Sequence, residues 1–412
     1  MCCKCILQKL GLLCLSTLGF VVVVLNTASA APVTLTGFES GTVTDDAVST
    51  SGTFSYITSS TITGGYSLRS NPTGAADGFI RTGVVQTNGI INVTNFATAY
   101  IRFNFRVDQL PASNATGIFQ CVQAASGARK LEIRITSAGL LQVINAAGTL
   151  VATGTTGIST GVVYEIKLIC STGAGAQPYS LFINNVTELS GTADQGSTNF
   201  IRADVGKLPG SADTVNFVYD DLWIDNASLP PSGVIKGMAP TINGSTIEYT
   251  GGDATCNATT ATCFSRVSEI PTDDDVTYIE KSAASSQSAL VRLAAASVSG
   301  ISGTINAVKS YQNCKESVTA ASATAVRIRS NGVNSDSGTV NLTTAYTAQQ
   351  KIITTDPGTT AAFTIADLNQ IEVGTVDGSA ALMRCSTFRL FVDYTPGASG
   401  GAGSMLLTGV GG

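Results

Sequence analysis

The sequence contains no histidine, and this absence excludes several kinds of chemistry. Without an imidazole there is no Ser-His-Asp or Cys-His nucleophile, no histidine proton shuttle and no histidine metal ligand. Charge is also scarce, because Asp, Glu, Lys and Arg make up 12% of the chain. The net charge of −5 argues against binding to a nucleic acid. Hydrolysis by a pair of carboxylates is the common enzymatic chemistry that remains open.

Long apolar runs are missing after the first thirty residues. Within those thirty, Lys4 and Lys9 accompany a short apolar stretch, and Ala28-Ser29-Ala30 is the small-x-small pattern that signal peptidase cleaves. The sequence therefore predicts a signal peptide over residues 1–30 and a secreted protein without a transmembrane span. The alternative is a start codon assigned upstream of a true beginning near Val33.

Alternation of apolar and polar residues dominates the rest of the chain, and 43% of all 412 residues are hydrophobic. Tyr100–Val107, Leu131–Ile135 and Tyr164–Cys170 all show this period of two. The pattern predicts antiparallel strands with one face on a core and the other facing water or a ligand. No long apolar stripe at helical spacing follows residue 30, so the predicted fold class is all-β.

A domain boundary is predicted at Leu229-Pro230-Pro231-Ser232-Gly233, where neither a strand nor a helix continues easily. It separates residues 31–229 from residues 230–395, and each segment has a usual size for an antiparallel β-sandwich. Residues 396–412 are rich in Gly, Ala and Ser and predict a flexible tail. The predicted architecture is two β-sandwiches in tandem.

Six cysteines follow residue 30, and they lack the CxxC spacing of a zinc ribbon. Disulfides formed in an oxidising compartment are the better interpretation. If pairs stay within a domain, the two cysteines before the boundary pair with each other, and three arrangements remain for the four after it. The preferred arrangement closes one small loop and joins two distant strands. The predicted pairs are Cys121–Cys170, Cys256–Cys263 and Cys314–Cys385.

Four motifs before the boundary follow one another in a characteristic order. They are Gly37–Gly41 (GFESG), Gly65–Arg69 (GYSLR), the strand Tyr100–Val107 and the closing strand Val218–Ile224 (VYDDLWI). In this order they resemble a concanavalin A-like, laminin-G-like jelly-roll domain over residues 33–229. That fold hosts lectins, adhesion modules, virion proteins and glycan-cleaving enzymes, so the resemblance implies the fold more strongly than a function.

Segments after the boundary, among them Ala325–Ser330, Phe363–Asn369 and Phe388–Thr395, also follow a recognisable order. They resemble a sandwich domain of tailed-phage structural proteins and metagenomic surface proteins, where it follows a laminin-G-like domain through a linker similar to Asp220–Tyr278. The resemblance implies a non-catalytic, exposed architectural or adhesive part. Phage particle proteins assemble in the cytoplasm without signal peptides or disulfides, so we expect a secreted protein, with a virion protein as the alternative.

Asp221, Trp223 and Asp225 alternate onto one face of the predicted closing strand. One interpretation makes Asp221 and Asp225 the carboxylate pair of a glycoside hydrolase or lyase, with Trp223 stacked on a sugar. The other, which we prefer, packs Trp223 in the core and uses the two acids to cap turns or to hold Ca²⁺. The chain lacks the Glu-x-Asp-x-x-Glu run of laminarinase-type enzymes on this fold.

Aromatic side chains that could stack on sugars are few, because the chain has one Trp and 7% aromatic residues. Tyr66, Tyr100 and Trp223 are the candidate glycan contacts, and Tyr164 and Tyr219 are further candidates. Each is equally consistent with a half-buried framework position.

Asp273, Asp274 and Asp275 form the densest run of acids and are the candidate Ca²⁺ ligands, since clustered oxygen atoms suit calcium. The run lacks the Asp-x-Asp-x-Asp-Gly spacing of an EF-hand, so a solvated loop that enters a strand is the preferred interpretation. No cofactor other than calcium is predicted.

Together these features predict a non-catalytic extracellular or virion-surface protein, structural or adhesive, with a neutral surface rich in hydroxyl groups. It is expected to bind a glycan or a surface protein through β-sandwich loops and sheet faces. The alternative is a secreted polysaccharide-active enzyme that uses carboxylates on the same fold. A third hypothesis is a homo-oligomeric assembly subunit without a small ligand.

Overall fold

The computed structural model shows an all-β protein with four antiparallel sheets, which confirms the predicted fold class. It describes residues 32–39, 49–82, 97–123, 128–249, 263–269, 275–281, 287–293, 298, 300–317, 322–379 and 381–397. The predicted signal peptide and most of the predicted tail lie outside the described residues. Within the described ranges, no helix is both long and apolar enough to cross a membrane.

The described chain from Pro32 to Asp225 forms two sheets. The strands are β1 (Pro32–Thr36), β2 (Ser49–Gly52), β3 (Phe54–Ile57), β4 (Ser67–Ser70), β5 (Gly78–Thr82), β6 (Thr98–Gln109), β7 (Thr116–Gln123), β8 (Arg129–Ile135), β9 (Leu140–Ile144), β10 (Leu150–Gly157), β11 (Val163–Ser171), β12 (Ala176–Ile183), β13 (Val186–Asp194), β14 (Phe200–Lys207) and β15 (Asn216–Asp225). Sheet 1 has the order β13-β12-β11-β6-β15-β4-β3, with β1 also paired to β15, and sheet 2 has the order β10-β9-β8-β7-β14-β5-β2.

Sheets 1 and 2 face each other across one apolar core, which makes them the first sandwich. Phe103 of sheet 1 stacks on Phe119 of sheet 2, with ring centroids 5.4 Å apart. Ile101, Phe103 and Phe105 of β6 all point into this core, because alternate residues of a strand share a face. The apolar face of β6 therefore lies where its alternation predicts.

The described chain after the predicted boundary forms the second sandwich. Its elements are β16 (Val234–Met238), β17 (Ile242–Ile247), a 3-10 helix (Cys263–Arg266), β18 (Ile279–Glu280), β19 (Ser288–Arg292), β20 (Gly303–Glu316), β21 (Ala323–Ser330), β22 (Val333–Asp336), β23 (Val340–Asn341), β24 (Thr347–Ile353), α1 (Ile365–Leu368), β25 (Glu372–Asp377) and β26 (Met383–Pro396). Sheet 3 has the order β16-β26-β20-β24, with β18 paired to β26. Sheet 4 has the order β17-β19-β25-β21-β22, with β23 paired to β21. A second apolar core lies between them.

The two sandwiches meet through the outer faces of sheets 1 and 3, and both belong to one compact unit. We call this contact the junction. Its buried apolar side chains are Leu35 and Trp223 from sheet 1 and Ile235, Ala307, Tyr311 and Phe391 from sheet 3. The junction covers part of the polar face of β6, and Arg102 is fully buried there. The expectation that this face meets water or a ligand is therefore wrong at Arg102.

The cysteines of the second sandwich include a disulfide between β20 and β26, where Cys314 and Cys385 are cross-strand partners with an S–S distance of 2.05 Å. Cys263 is also disulfide-bonded, and its predicted partner Cys256 lies outside the described residues. In the first sandwich, Cys121 of β7 and Cys170 of β11 are free thiols whose Sγ atoms lie 2.8 Å apart in the core. The predicted partners therefore meet across the two sheets, but the bond is not made.

We expect Cys121 and Cys170 to be joined when the protein folds under oxidising conditions. A disulfide needs its sulfur atoms about 2.0 Å apart, so a small movement suffices. Burial raises the pKa of the Cys170 thiol well above its usual range, which suppresses the reactive thiolate once the core has closed. The bond should therefore form during folding, and it should raise the free energy of unfolding by about 2–4 kcal/mol. Peptide mapping without reduction, with the Cys121→Ala/Cys170→Ala variant as reference, tests whether the bond is present. Two free thiols after oxidative refolding would contradict it.

Candidate functional site

Asp221, one of the two candidate catalytic acids, is fully buried in β15 at an irregular position with a φ of 54°. Its carboxylate accepts hydrogen bonds from the amide of Asn104 at 2.6 Å and from the backbone N–H of Ile235 at 2.5 Å. The hydroxyl of Thr63 donates to the same carboxylate at 2.9 Å. Burial raises the pKa of Asp221 to about 6. The side chain therefore ties β15 to β6 and to the first strand of the second sandwich.

Asp225, the second candidate acid, is also buried. Its Oδ1 accepts hydrogen bonds from the backbone N–H groups of Ala227, at 2.7 Å, and Ser228, at 3.2 Å. This is a turn cap at the end of β15, immediately before the chain crosses into the second sandwich. The hydrogen bonds of Asp221 and Asp225 thus go to separate structural partners.

Trp223, the candidate sugar-stacking platform, lies inside the junction with 3% of its surface exposed. Its ring packs under the guanidinium of Arg102, whose Cζ is 5.5 Å from the ring centroid. The prediction that Trp223 contacts a glycan is therefore wrong, because the second sandwich covers the sheet face that carries it. The preferred interpretation placed it in a sandwich core, whereas it lies between two sandwiches.

The candidate tyrosines do not form one surface. Tyr66 and Tyr100 are both half-buried, and in sheet 1 the strand β15 separates the strand that follows Tyr66 from the strand that contains Tyr100. Tyr219 is wrong as a glycan contact, because it is fully buried and its hydroxyl donates to the carbonyl oxygen of Ile118 at 3.0 Å. Tyr164 is half-buried, and its hydroxyl accepts from the backbone N–H of Ser159.

Asp275 is the candidate calcium ligand that lies within the described residues, and Asp273 and Asp274 lie outside them. Asp275 is exposed and forms ion pairs with Lys315 at 2.6 Å and Arg384 at 3.6 Å. The hydrogen bond from Lys315 lowers the pKa of this carboxyl. Two cations already neutralise the side chain, so it is a poor calcium ligand here. Among the described residues, no group of three or more Cys, Asp or Glu side chains is arranged to hold a metal ion.

A charged cluster on sheet 2 was not predicted from the sequence. Directly opposed residues on neighbouring strands have their side chains on the same face of a sheet. Four such residues form one row across sheet 2, namely Arg81 (β5), Asp204 (β14), Gln120 (β7) and Glu132 (β8). The neighbouring core residues Ala203, Val205 and Ile133 point inward, so this row lies on the outer face.

Three further arginines complete this cluster. Arg202 donates to Asp204 at 3.0 Å, and Arg134 donates to Glu132 at 2.7 Å. Arg129 also pairs with Glu132. We define the arginine face as the seven residues Arg81, Gln120, Arg129, Glu132, Arg134, Arg202 and Asp204.

The arginine face is a layer of cations above buried anions. The side chains of Asp204 and Glu132 are 1% and 3% exposed, whereas those of Arg81 and Arg134 are 31% and 30% exposed. Burial raises the pKa of Asp204, although Gln120 and Arg202 oppose the rise. Four guanidinium groups face two carboxylates, so the cluster has an excess of two positive charges on a chain with a net charge of −5.

Guanidinium groups held in this way can bind a planar anion through two parallel hydrogen bonds. The sequence did carry a signal for the site, since Glu132 and Arg134 are two residues apart in one strand, as are Arg202 and Asp204. What it lacked was the order of the strands, which places β8, β7, β14 and β5 side by side.

Comparisons with known proteins give structural similarities only. No protein family matches the chain, and no curated protein matches it. Cellulose induced protein Cip1 is 18% identical over 48% of this chain and 100% of its own, with a TM-score of 0.37. Domain 4 of AbnA, an extracellular arabinanase from Geobacillus stearothermophilus, was solved with arabinotriose. It is 16% identical over 49% of this chain and 95% of its own, with a TM-score of 0.34. The carbohydrate-binding module CBM66 from Bacillus subtilis is 10% identical over 43% of this chain and 94% of its own, with a TM-score of 0.30.

Proposed function

We propose that this protein is a non-catalytic extracellular or virion-surface binding protein that captures an acidic polysaccharide on the arginine face. The observation that carries the proposal is the excess of two positive charges in partly exposed arginines, held on one face of sheet 2. The sequence predicted a glycan or a surface protein as the ligand, and the positive charge of the arginine face favours an acidic glycan within that prediction.

The shape of the cluster favours a chain over a single small anion. Neighbouring strands lie about 4.8 Å apart, so the row from Arg81 to Glu132 extends about 14 Å across the sheet. Cations lie at both ends of this row, with Arg81 at one end and Arg129 and Arg134 at the other. A polyuronate or a sulfated glycan carries its anions at intervals along an extended chain and can reach both ends.

Binding does not require the internal ion pairs to break. Each guanidinium has five N–H donors, and the carboxylates engage only part of this set. The buried carboxylates hold the arginines in position before the ligand arrives, which reduces the entropy lost on binding.

We expect Arg134→Gln and Arg202→Gln each to weaken binding to polygalacturonate roughly 10- to 100-fold, since a hydrogen bond to a charged group contributes about 1.5–3 kcal/mol. Each variant leaves the buried carboxylate with one other arginine, so the fold should persist. Isothermal titration calorimetry at two salt concentrations measures the effect, and wild-type binding should weaken as salt rises.

The matched control is Arg292→Gln, because Arg292 is an exposed arginine of the second sandwich. It should bind polygalacturonate like the wild type, and the neutral glucan laminarin should not bind to any variant. Equal affinity for laminarin, or an Arg134→Gln protein that binds normally, would refute the proposal.

The enzymatic alternative is tested with the same polymer. Release of reducing ends or of unsaturated uronate products by wild-type protein, abolished in Glu132→Gln or in Asp221→Asn, would replace the binding function with a catalytic one. Binding without product formation supports the proposal.

A further inference from the structure

A buried lysine and a buried aspartate are in contact in the second sandwich. Lys281 follows β18 at the edge of sheet 3, and Asp377 is the last residue of β25 in sheet 4. The Nζ atom of Lys281 contacts Oδ2 of Asp377, and both side chains are 0% exposed. The pair therefore bridges the two sheets in a place that water does not reach.

The backbone holds both residues in position. The N–H of Lys281 donates to the carbonyl oxygen of Met383 at 2.9 Å, and the N–H of Asp377 donates to that of Gln287 at 2.9 Å. Both residues are thus anchored to neighbouring strands or their ends. Little freedom remains for the two side chains to separate.

The carboxyl group of Asp377 is oriented by Ser379. Its Oδ1 accepts hydrogen bonds from the backbone N–H of Ser379 at 2.9 Å and from the hydroxyl at 3.0 Å. Oδ2 makes no hydrogen bond other than its contact with Lys281. One oxygen is therefore held by two donors, as in an oxyanion hole, and the other faces the amine.

Burial favours the uncharged form of this pair, and the carbonyl oxygens of Ser379 and Ala381, which accept from Nζ, can also be satisfied by the two N–H groups of a neutral amine. Transferring two charges out of water is costly, and a buried pair lowers that cost by moving one proton from the ammonium to the carboxylate. Burial lowers the pKa of the Lys281 ammonium, which acts in the same direction. This proton transfer would give a neutral amine, which is a nucleophile, next to a carboxylic acid.

We propose that Lys281 and Asp377 condense to an intramolecular isopeptide bond that links sheet 3 to sheet 4. The Nζ lone pair attacks Cγ of the Asp377 carboxylic acid, and the negative charge that develops on Oδ1 is stabilised by the two donors of Ser379. Nζ then loses a proton, Oδ2 leaves with two hydrogens as water, and an amide remains. The protons already present on the pair balance this step, and nothing is oxidised or reduced.

Such a bond would differ from the disulfide in the same sandwich. Cys314 and Cys385 join two strands within sheet 3, whereas Lys281 and Asp377 join opposite sheets. An amide also survives reduction. The bond would keep the second sandwich closed under reducing conditions and under pulling forces, which suits an exposed structural protein.

The test is the mass of the wild-type protein after full reduction and denaturation. We expect the mass to be lower by one water than the sequence of the purified chain requires. Tryptic digestion should give a branched peptide in which Lys281 is uncleaved and bonded to Asp377. On a reducing denaturing gel, Lys281→Met should migrate more slowly than the wild type and give no branched peptide.

A wild-type protein that is folded by circular dichroism, has its full mass and is cleaved by trypsin after Lys281 overturns the proposal. So does a branched peptide that joins Lys281 to another acid. Because these outcomes are read on the wild type, the proposal stays testable even where Lys281→Met fails to fold. Ser379→Ala should slow the appearance of the branched peptide, because it removes one of the two donors to Oδ1.

Discussion

Replacing Arg102 with methionine is expected to lower the free energy of unfolding by about 3–5 kcal/mol, because it leaves a buried carboxylate without its cation. Arg102 and Asp393 form an ion pair across the junction, and both side chains are 0% exposed. The same guanidinium donates to the carbonyl oxygen of Pro231 at 2.7 Å. Methionine keeps much of the volume but supplies none of these donors.

The expected loss of stability comes from the charge that Asp393 retains in the variant. Asp393 keeps one hydrogen bond in the variant, from the amide of Asn306 at 2.6 Å, and that bond does not neutralise its charge. Adding Asp393→Asn to Arg102→Met should therefore recover part of the lost stability, since it removes the unpaired charge. The single change Asp393→Asn should cost less than Arg102→Met, because the cation would still face Asp221 and Glu165.

Chemical denaturation of the three variants and the wild type measures these differences. The control is Arg327→Met, because Arg327 pairs with Asp336 at 2.7 Å on the surface of the second sandwich. Exposed ion pairs contribute about 0–1 kcal/mol, so this control should unfold nearly like the wild type. If Arg102→Met and Arg327→Met are equally stable, the junction pair does not hold the sandwiches together in the way we describe.

Replacing Trp223 with alanine is expected to lower the free energy of unfolding by about 3–5 kcal/mol, because it leaves a cavity between the two sandwiches. Trp223 packs with Leu35 from the first sandwich and Phe391 from the second. Its indole Nε1 is buried without a hydrogen bond, so Trp223→Phe removes no polar partner and should cost much less. The difference between the free energies of unfolding of the two variants measures the contribution of side-chain volume at this position.

Trp223 is the only tryptophan of the chain, so its fluorescence reports directly on the junction. The folded protein should emit at short wavelength and resist quenching by acrylamide, since 3% of the residue is exposed. Trp223→Phe should bind polygalacturonate like the wild type, because the ring lies on sheet 1 and the arginine face on sheet 2. Strong quenching in the folded state would contradict the buried junction, and lost binding would restore Trp223 as a ligand contact.

The core faces of the strands could be predicted from the sequence, and the polar faces could not. Ile101, Phe103 and Phe105 alternate, and a period of two is sufficient to show that they share a face. The intervening Arg102 has the same periodicity whether its face meets water, a ligand or another domain. Its complete burial depends on Asp393, a residue far along the chain that becomes its neighbour only when the sandwiches dock.

The same limit explains the candidate sites. Asp221 and Asp225 share a strand with Trp223, and that arrangement is compatible with catalysis as long as their partners are unknown. The structure supplies the partners, and they are backbone N–H groups and, for Asp221, the side chains of Asn104 and Thr63. The arginine face shows the converse, because its members come from four strands whose order the sequence does not contain.

The amino-acid sequence by itself determined that this protein is built from antiparallel strands, where its apolar faces lie, and which catalytic groups it lacks. Those properties depend on composition and on a period of two, which are local. The tertiary structure alone decided that Trp223 is buried between two sandwiches, that four arginines collect on sheet 2, and that Lys281 meets Asp377. Each of these contacts depends on which strands and sheets become neighbours. That choice minimises the free energy of the whole folded chain, so no local pattern of residues can predict it.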